Sequence, residues 1–261
     1  MFTVNKELCI GCKACVEECP TFLLKMDEDL KAVFVDGASK QCIRCGHCEA
    51  VCPTSAAMAH FEPTELMPTK NLSDFPSIDE LKSVVLQRRS IRSFKKKPVD
   101  DGIIRDLLDT VRFAPTAKNT ETLQWILVNS REEVVKLADL TIETLKGKKD
   151  MLPVVRAYQQ GVDVIMRNAP QLLVAVASSE ASSPVIDATI ALTTFEMLAA
   201  ASEVGTCWAG FFLTAAMGNP AIGKSLGIEE PFRIYGAMLI GSAKHRFFRI
   251  PLRKELMLTV R

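Results

Sequence analysis

The sequence predicts an α+β protein in which helices cover a sheet, preceded by a small cysteine-rich domain with short strands. Three observations carry this. Eight of the nine cysteines fall between Cys9 and Cys52, so the beginning of the chain is chemically unlike the rest. The stretch Glu62–Ser77, with three prolines and four Ser/Thr and no apolar period, reads as a linker. Beyond it, segments with apolar residues at helical spacing alternate with short continuous apolar runs, as expected for helices packed on a sheet.

The cysteines form two copies of one pattern, Cys9-x2-Cys12-x2-Cys15-x3-Cys19-Pro20 and Cys42-x2-Cys45-x2-Cys48-x3-Cys52-Pro53. Three thiolates two residues apart curl around one iron-sulfur cubane, while the fourth, set back and followed by proline, points toward a second. The spacing predicts two 4Fe-4S clusters with exchanged fourth ligands, Cys9, Cys12, Cys15 and Cys52 on one and Cys42, Cys45, Cys48 and Cys19 on the other. A zinc site would leave the third cysteine and the proline without a role. A disulfide scaffold needs an oxidising compartment, whereas Met1–Ile10 carries Lys6 and Glu7 and no apolar export segment. Strand candidates are Thr3-Val4, Ala32–Val35 and Met58–Phe61. Over Met1–Phe61 the chain resembles the two-cluster bacterial ferredoxin. The expected division is a ferredoxin-like domain over 1–61, a linker over 62–77 and a second domain over 78–261.

Charge narrows the partners. With 32 basic and 31 acidic residues the net charge is +1, so no general field attracts nucleic acid or anionic lipid. An apolar fraction of 48% is ample for a core. The longest apolar stretch, Ala188–Ala201, is interrupted by Glu196 and by threonines, short of a membrane span. Such a chain is expected in a reducing cytoplasm, of an anaerobe, because oxygen damages accessible cubanes.

In the larger domain Ile78–Gln87 reads as an amphipathic helix, with Ser77 and Glu80 spaced as a capping box. Asp100–Phe113 is a second helix, with Ile103, Ile104, Leu107, Leu108 and Val111 on one face. Trp125–Val128 and Leu172–Val176 read as buried strands, with a helix over Arg131–Lys146 between them. Asp187–Glu203 is apolar nearly all round, as a helix buried in a core or a subunit interface is. Tyr235–Ile240 makes a last strand, followed by a basic tail.

One short segment carries chemistry. Arg88-Arg89-Ser90-Ile91-Arg92-Ser93-Phe94 offers three guanidinium groups and two hydroxyls directly after a helix, a set suited to the oxygens of a phosphate monoester. A solvated basic patch has the same composition. The context distinguishes them, because the segment resembles the Arg-x-Ser-x-basic opening of the FMN-dependent nitroreductase family. Further stretches resemble that family in the same order. Phe113–Asn119 is similar to its Ala-Pro-Ser-x-x-Asn loop, which contacts the flavin from the opposite subunit, Trp125 to the tryptophan that follows, and Glu203–Phe211 to the turn that lies against the flavin ring. Leu239–Ala243 and Arg249–Arg253 are similar to its C-terminal segments. There are departures. The usual Gln-Pro-Trp is replaced by the longer Glu121–Trp125, Gly241 is followed by Ser242-Ala243, and Ala209 stands where many members have an acidic residue.

The resemblance, which covers Ile78–Arg261, implies a nitroreductase-like FMN-binding α/β sandwich after a bacterial ferredoxin-like domain. It implies FMN contacts from Arg88, Arg89, Ser90, Arg92 and Arg253 at the phosphate, and from Pro115, Thr116, Ala117, Asn119, Trp208, Ala209 and Gly210 around the ring and ribityl chain. It also implies a homodimer, with Asp187–Glu203 at its interface. Putting both cofactors on one chain gives an expected oxidoreductase in which a low-potential donor such as a soluble ferredoxin feeds two 4Fe-4S clusters. These pass electrons to FMN, and FMN reduces a small-molecule acceptor such as a nitroaromatic or quinone. A relay subunit without its own substrate, a flavin-free cluster sensor and an NAD(P)H-dependent flavin reductase are the alternatives. The pattern assigns no general acid, since water can deliver the protons. Cys207 reads as a buried filler, His60 and His245 as surface residues, and Lys95-Lys96-Lys97 as solvated.

Overall fold

A computed structural model of the chain describes residues 2–59 and 72–261. The expected strand end at His60-Phe61 and most of the expected linker lie outside the described residues. Contacts divide the chain into two compact units, Met1–Phe75 with Lys118–Thr120, and Pro76–Ala117 with Glu121–Arg261.

The first unit is built twice over. Strand β1 (Thr3–Val4) pairs antiparallel with β4 (Ala57–Met58), and β2 (Leu24–Met26) pairs antiparallel with β3 (Ala32–Phe34). Strand β2 has no counterpart among the strands expected from sequence; three residues are too few to show a period. One-turn helices α1 (Ala14–Glu17) and α2 (His47–Ala50) lie at matching positions of the two cysteine motifs. The repeat extends to the backbone. Left-handed residues recur at Gly11 and Arg44, at Lys13 and Gly46, and at Phe22 and Ser55, each pair at the same place in its motif. Phe2, Leu24, Ala32 and Ala57 make a small core, and the Phe2 and Phe34 rings meet edge to face at 5.3 Å.

The second unit has a four-stranded antiparallel sheet in the order β5 (Gln124–Val128), β6 (Gln171–Ser178), β8 (Phe232–Gly241), β7 (Gly205–Trp208). Alternation along the central strands divides the core into two layers. Leu172, Val174, Val176, Ala237 and Leu239 face α5 (Arg131–Leu145), α6 (Leu152–Gln159), α8 (Gly210–Ala216) and α9 (Pro220–Ser225). Leu173, Ala175, Met238 and Ile240 face α4 (Asp101–Val111) and α7 (Pro184–Ala201). Because helices cover both faces, β6 is apolar without a break from Leu172 to Ala177, as its sequence suggests. The long helix α7 lies against β8 at Gly236, where a Cβ would stand 2.3 Å from Leu192 Cδ1, so glycine admits the close approach.

Local signals set the helix starts. The α3 helix (Ile78–Gln87) has the expected capping box, with Glu80 N–H donating to Ser77 Oγ at 3.2 Å and Ser77 N–H to Glu80 Oε2 at 2.7 Å. Asp100 caps α4 through Gly102 N–H at 2.8 Å, and Ser130 caps α5 through Glu133 N–H at 3.4 Å. The segment Glu203–Phe211, read as a turn, contains a strand, β7, and the first residues of α8. The last strand begins at Phe232, ahead of Tyr235, because a register shift at Ala175/Val176 lets β6 continue pairing beyond Tyr235.

Within the single chain, helix α7 is not covered all round. Ala188, Ala191, Leu192, Phe195 and Ala199 are buried, while Val185, Ile186, Thr189 and Thr193 are exposed. Among the described residues it is the one helix with the length and mean hydropathy of a membrane span. It also carries two buried acids, Asp187 and Glu196, and packs on a sheet, which is the pattern of a core helix.

Candidate functional site

In the first unit the cysteine thiols of each motif influence one another. The Cys15 thiol is pushed up by burial and further by its neighbours Cys52, Cys12 and Cys9, which are the three partners expected on its cluster. Burial likewise drives Cys48 up to about 11, opposed by the Glu49 backbone and helped by Cys45, Cys42 and, from the first motif, Cys15. The two fourth ligands are treated alike and differently from these. Cys19 Sγ accepts Leu23 N–H at 3.4 Å, and Cys52 Sγ accepts Ala56 N–H at 3.2 Å and Ala57 N–H at 3.4 Å. Thr21 and Thr54 hydroxyls approach the same sulfurs at 3.7 and 3.8 Å. Burial pushes both thiols up, but these donors outweigh it and leave both below the ordinary cysteine value. Donors aimed at a sulfur favour its thiolate form and tune any cluster it holds. Among the described residues no three His, Cys, Asp or Glu side chains close on a single metal ion. Thiolates around one ion crowd together, whereas those on a cubane stand apart on separate irons.

In the second unit the phosphate-type segment is stitched into the sheet on both sides. Ile91 N–H donates to Thr206 O at 2.8 Å, with Ser90 bridged in parallel to Thr206 of β7. Phe94 is bridged antiparallel to Ala243, with Lys95 N–H on Ser242 O and Lys244 N–H on Ser93 O, each at 2.9 Å. Gly205 permits this docking, since a Cβ there would lie 2.7 Å from Gly241 O and 2.9 Å from Ile91 Cγ1. Ile91 and Phe94 are buried, and Arg92 is exposed.

The pairing brings together residues distant in sequence. A cleft of about 530 Å³ is lined on one side by Arg88, Arg89, Ser90, Ile91, Arg92 and Ser93, and on the other by His245, Phe247, Pro251 and Arg253. All five residues expected at a phosphate therefore line one cleft, and its size is that of a cofactor site. Their roles differ. The guanidinium of Arg89 donates to the carbonyls of Arg88 and Leu86, so it is engaged by the last turn of α3. Arg88 caps α3 through its backbone, and its Nε lies 3.3 Å from Glu196 Oε1 of α7. Arg253 Nη1 donates to Leu252 O at 3.3 Å. Arginine donors, hydroxyls and a mouth open to solvent fit a phosphate monoester, and the apolar Ile91, Phe247 and Pro251 fit the body of a larger molecule.

The remaining expected contacts lie elsewhere. Thr116 lines a second, smaller pocket of about 120 Å³ with Arg112, Glu121, Leu123, Trp125 and Ala191. The adjoining loop is held in a demanding shape, with left-handed Lys118, Asn119 and Glu121. Buried Asp187 of α7 supports it by accepting Ala117 N–H at 2.9 Å, and Thr116 Oγ1 accepts Glu121 N–H at 3.1 Å. Pro115 is exposed, and Asn119 groups with the first unit. Trp208 ends β7, Ala209 is buried with its N–H on Ala237 O at 3.0 Å, and exposed Gly210 opens α8. Cys207 is buried as expected; burial pushes its thiol up, Arg167 and Arg92 oppose this, and Glu196 adds to it. Sequence reasoning missed Glu196, Asp187 and His245. The signal for the first two was present, two acids inside an otherwise apolar helix.

Comparison with known proteins accounts for both units. The model of the nitroreductase family matches residues 85–242, more than half of the chain. The chain belongs to the nitroreductase family. A 4Fe-4S dicluster domain model matches residues 8–56. Among curated relatives, a putative NAD(P)H nitroreductase of Bacillus subtilis is 36% identical over 72 residues, covering 27% of this chain and 37% of the relative. A ferredoxin 7Fe of Hydrogenibacillus schlegelii is 47% identical over 58 residues, covering 22% of this chain and 69% of the ferredoxin. The chain spans only 28 to 49% of three further curated relatives, two named as putative NADH dehydrogenase/NAD(P)H nitroreductases and one as an NADH dehydrogenase. The crystal structure of a nitroreductase with bound FMN from Desulfitobacterium hafniense superposes with a TM-score of 0.61 at 20% identity, covering 71% of this chain and all of that one. The second unit therefore has the nitroreductase fold, and an iron-sulfur domain precedes it.

Proposed function

We propose that the protein is an FMN-dependent oxidoreductase that draws electrons through two 4Fe-4S clusters and reduces a nitroaromatic, quinone or similar conjugated acceptor. One observation carries the reading: Arg88–Ser93 and His245–Arg253 close a single basic cleft in a nitroreductase fold. Support for the flavin comes from the fit of that cleft and from the FMN named with the Desulfitobacterium structure. FMN, when bound, supplies the chemistry that gathers single electrons into two-electron reduction.

The chain's own residues divide the work. Ser90, Arg92, Arg253 and the free edge of Arg88 hold the phosphate oxygens by charge-assisted hydrogen bonds. Arg89 braces the end of α3 behind them. Pro115, Thr116, Ala117 and Asn119, with Trp208, Ala209 and Gly210, line the ring and ribityl chain; Ala209 offers no side-chain proton, so protons come from water. In residues 1–61 we assign Cys9, Cys12, Cys15 and Cys52 to one cubane and Cys42, Cys45, Cys48 and Cys19 to the other. The N–H groups of Leu23, Ala56 and Ala57 stabilise negative charge on the two exchanged sulfurs. All eight motif cysteines are present, which favours eight irons over the seven in the name of the Hydrogenibacillus relative. Residues 78–261 form the flavin domain, and the uncovered apolar face of α7 favours a homodimer. We place the protein in the cytoplasm, with a soluble low-potential carrier such as a ferredoxin as donor. The name of the Bacillus relative favours NAD(P)H as a second possible donor.

Anaerobic purification with counts of iron, sulfide and FMN per chain tests this directly. About eight irons and one FMN, with the flavin reduced by ferredoxin and reoxidised by a nitroaromatic, is the expected result. Eight irons without flavin, or flavin that no acceptor reoxidises, overturns it.

A further inference from the structure

The helix α7 carries a carboxylate where an apolar side chain would pack more cheaply. Glu196 is 6% exposed, in the middle of a helix whose other buried residues beyond the first turn are Ala188, Ala191, Leu192, Phe195 and Ala199. Burying a carboxylate costs several kcal/mol unless a partner compensates it, and an ion pair at such a site is often no better for stability than a hydrophobic replacement. Among the described residues its ion-pair partner is Arg88, with Oε1 3.3 Å from Nε. The contact is held by charge, because its alignment falls short of a hydrogen bond and neither atom has another hydrogen-bond partner. Glu196 and Arg88 thus compensate each other, and Arg88 lines the basic cleft.

A guanidinium has two useful edges, one made by Nε with a neighbouring Nη and one by the two Nη groups at the tip. Glu196 approaches the first. Arg88 itself lines the cleft. The adjacent arginine shows the alternative, since both Nη groups of Arg89 are bound to carbonyls of α3 and the last turn absorbs its fork.

We propose that Glu196 is a positioning residue, which holds Arg88 by its Nε edge so that the two Nη groups address an anionic phosphate in the cleft. The inference rests on the flavin-phosphate reading of that cleft. Its sign is opposite to that of a simple field effect. Glu196 has the same charge as the ligand, so if it acted only by repulsion its removal would tighten phosphate binding. Acting through Arg88, its removal weakens it.

Binding of FMN and of riboflavin to flavin-stripped, cluster-loaded full-length protein separates these outcomes, because the two ligands differ only in the phosphate. In the unaltered protein FMN binds more tightly than riboflavin. Glu196→Ala lowers that preference by about tenfold, equivalent to about 1.4 kcal/mol, while riboflavin affinity stays within about twofold. Glu196→Gln, which keeps the shape of the side chain but not the charge that holds Nε, lowers the preference as Glu196→Ala does. Should Glu196→Ala fail to fold, the same comparison is made with Arg88→Lys and with Arg88→Lys/Glu196→Gln. Arg88→Lys lowers the preference, and the added Glu196→Gln lowers it no further. A preference that survives or rises in Glu196→Ala, or an additive loss in the double variant, overturns the role of Glu196. Absence of any FMN preference in the unaltered protein overturns the phosphate reading itself, and this inference with it.

Discussion

The first unit holds its chemistry within one short stretch of chain, and the second assembles it across almost its whole length. Every thiol of the iron-sulfur domain lies between Cys9 and Cys52, and the donors to Cys19 and Cys52 come from residues four or five positions further on. The basic cleft joins Arg88–Ser93 to His245–Arg253, held by the pairing of Phe94 with Ala243 and of Ser90 with Thr206. The difference teaches where each function is vulnerable. Damage to the first unit is done at a ligand, whereas damage to the second can be done at a backbone contact that touches no ligand.

The sharpest way to break the comparison is Cys52→Ser. If the fourth ligands are exchanged, this change in the second motif releases the cluster of the first motif, whose Cys15 lies beside Cys52. Iron falls from about eight to about four per chain, while FMN content is unchanged. Iron and FMN analysis of anaerobically purified protein reads both. Loss of FMN together with iron would mean that the second site is not assembled independently of the first.

A smaller effect is expected at Gly205, which has no polar side chain and lies outside the cleft lining. In Gly205→Ala the new Cβ meets Gly241 O at 2.7 Å and Ile91 Cγ1 at 2.9 Å, and a backbone atom has little freedom to retreat. Overpacking of this kind costs about 1–3 kcal/mol. It also spreads β7 from the segment that carries Ser90 and Arg92, so FMN affinity falls with stability. Gly210→Ala is the control for stability, because nothing lies within 4 Å of a Cβ there. Denaturant midpoints measure both variants. Equal midpoints would show that the pairing is loose enough to absorb a methyl group.

The same contrast decides what could be read in the sequence. The cysteine motifs, the Ser77/Glu80 box and the apolar runs of β5 and β6 are local patterns, and local patterns survive without a fold. Strand β7 was hidden because Gly205-Thr206-Cys207-Trp208 is short and ends against a helix start, so the segment read as a turn. His245 read as an ordinary surface residue, and it is exposed; only the Phe94–Ala243 bridge brings it to the cleft. Glu196 read as an interruption of an apolar stretch, since its partner Arg88 is supplied by tertiary packing. Arg89 was expected to act like its neighbours, but the helix end captures it, and that depends on side-chain direction, to which spacing is blind.

The smallest effect sharpens the comparison from the local side. Helix α3 has no buried residue, so it depends on its own end signals more than α4 or α5 does. Ser77→Ala removes the hydroxyl that receives Glu80 N–H, at a cost of about 1 kcal/mol. Exchange of the α3 amide hydrogens then speeds up by about fivefold. Glu80 gives the effect a pH signature. Its carboxyl is held below the ordinary range, first by the Ser77 hydroxyl and then by the Ser77 N–H. The contribution of the box is therefore full above the unfolded-state value and is lost as pH falls through the lowered one. Protection of α3 in the unaltered protein should decline over that acid range, and Ser77→Ala should flatten the decline. FMN affinity should change by no more than the same few-fold, because Arg88 at the far end of α3 is also anchored by Glu196 and by the Ile91–Thr206 bond. A loss of FMN affinity by orders of magnitude would mean that tertiary contacts do not hold this wall of the cleft, and that the second site too rests on one local signal.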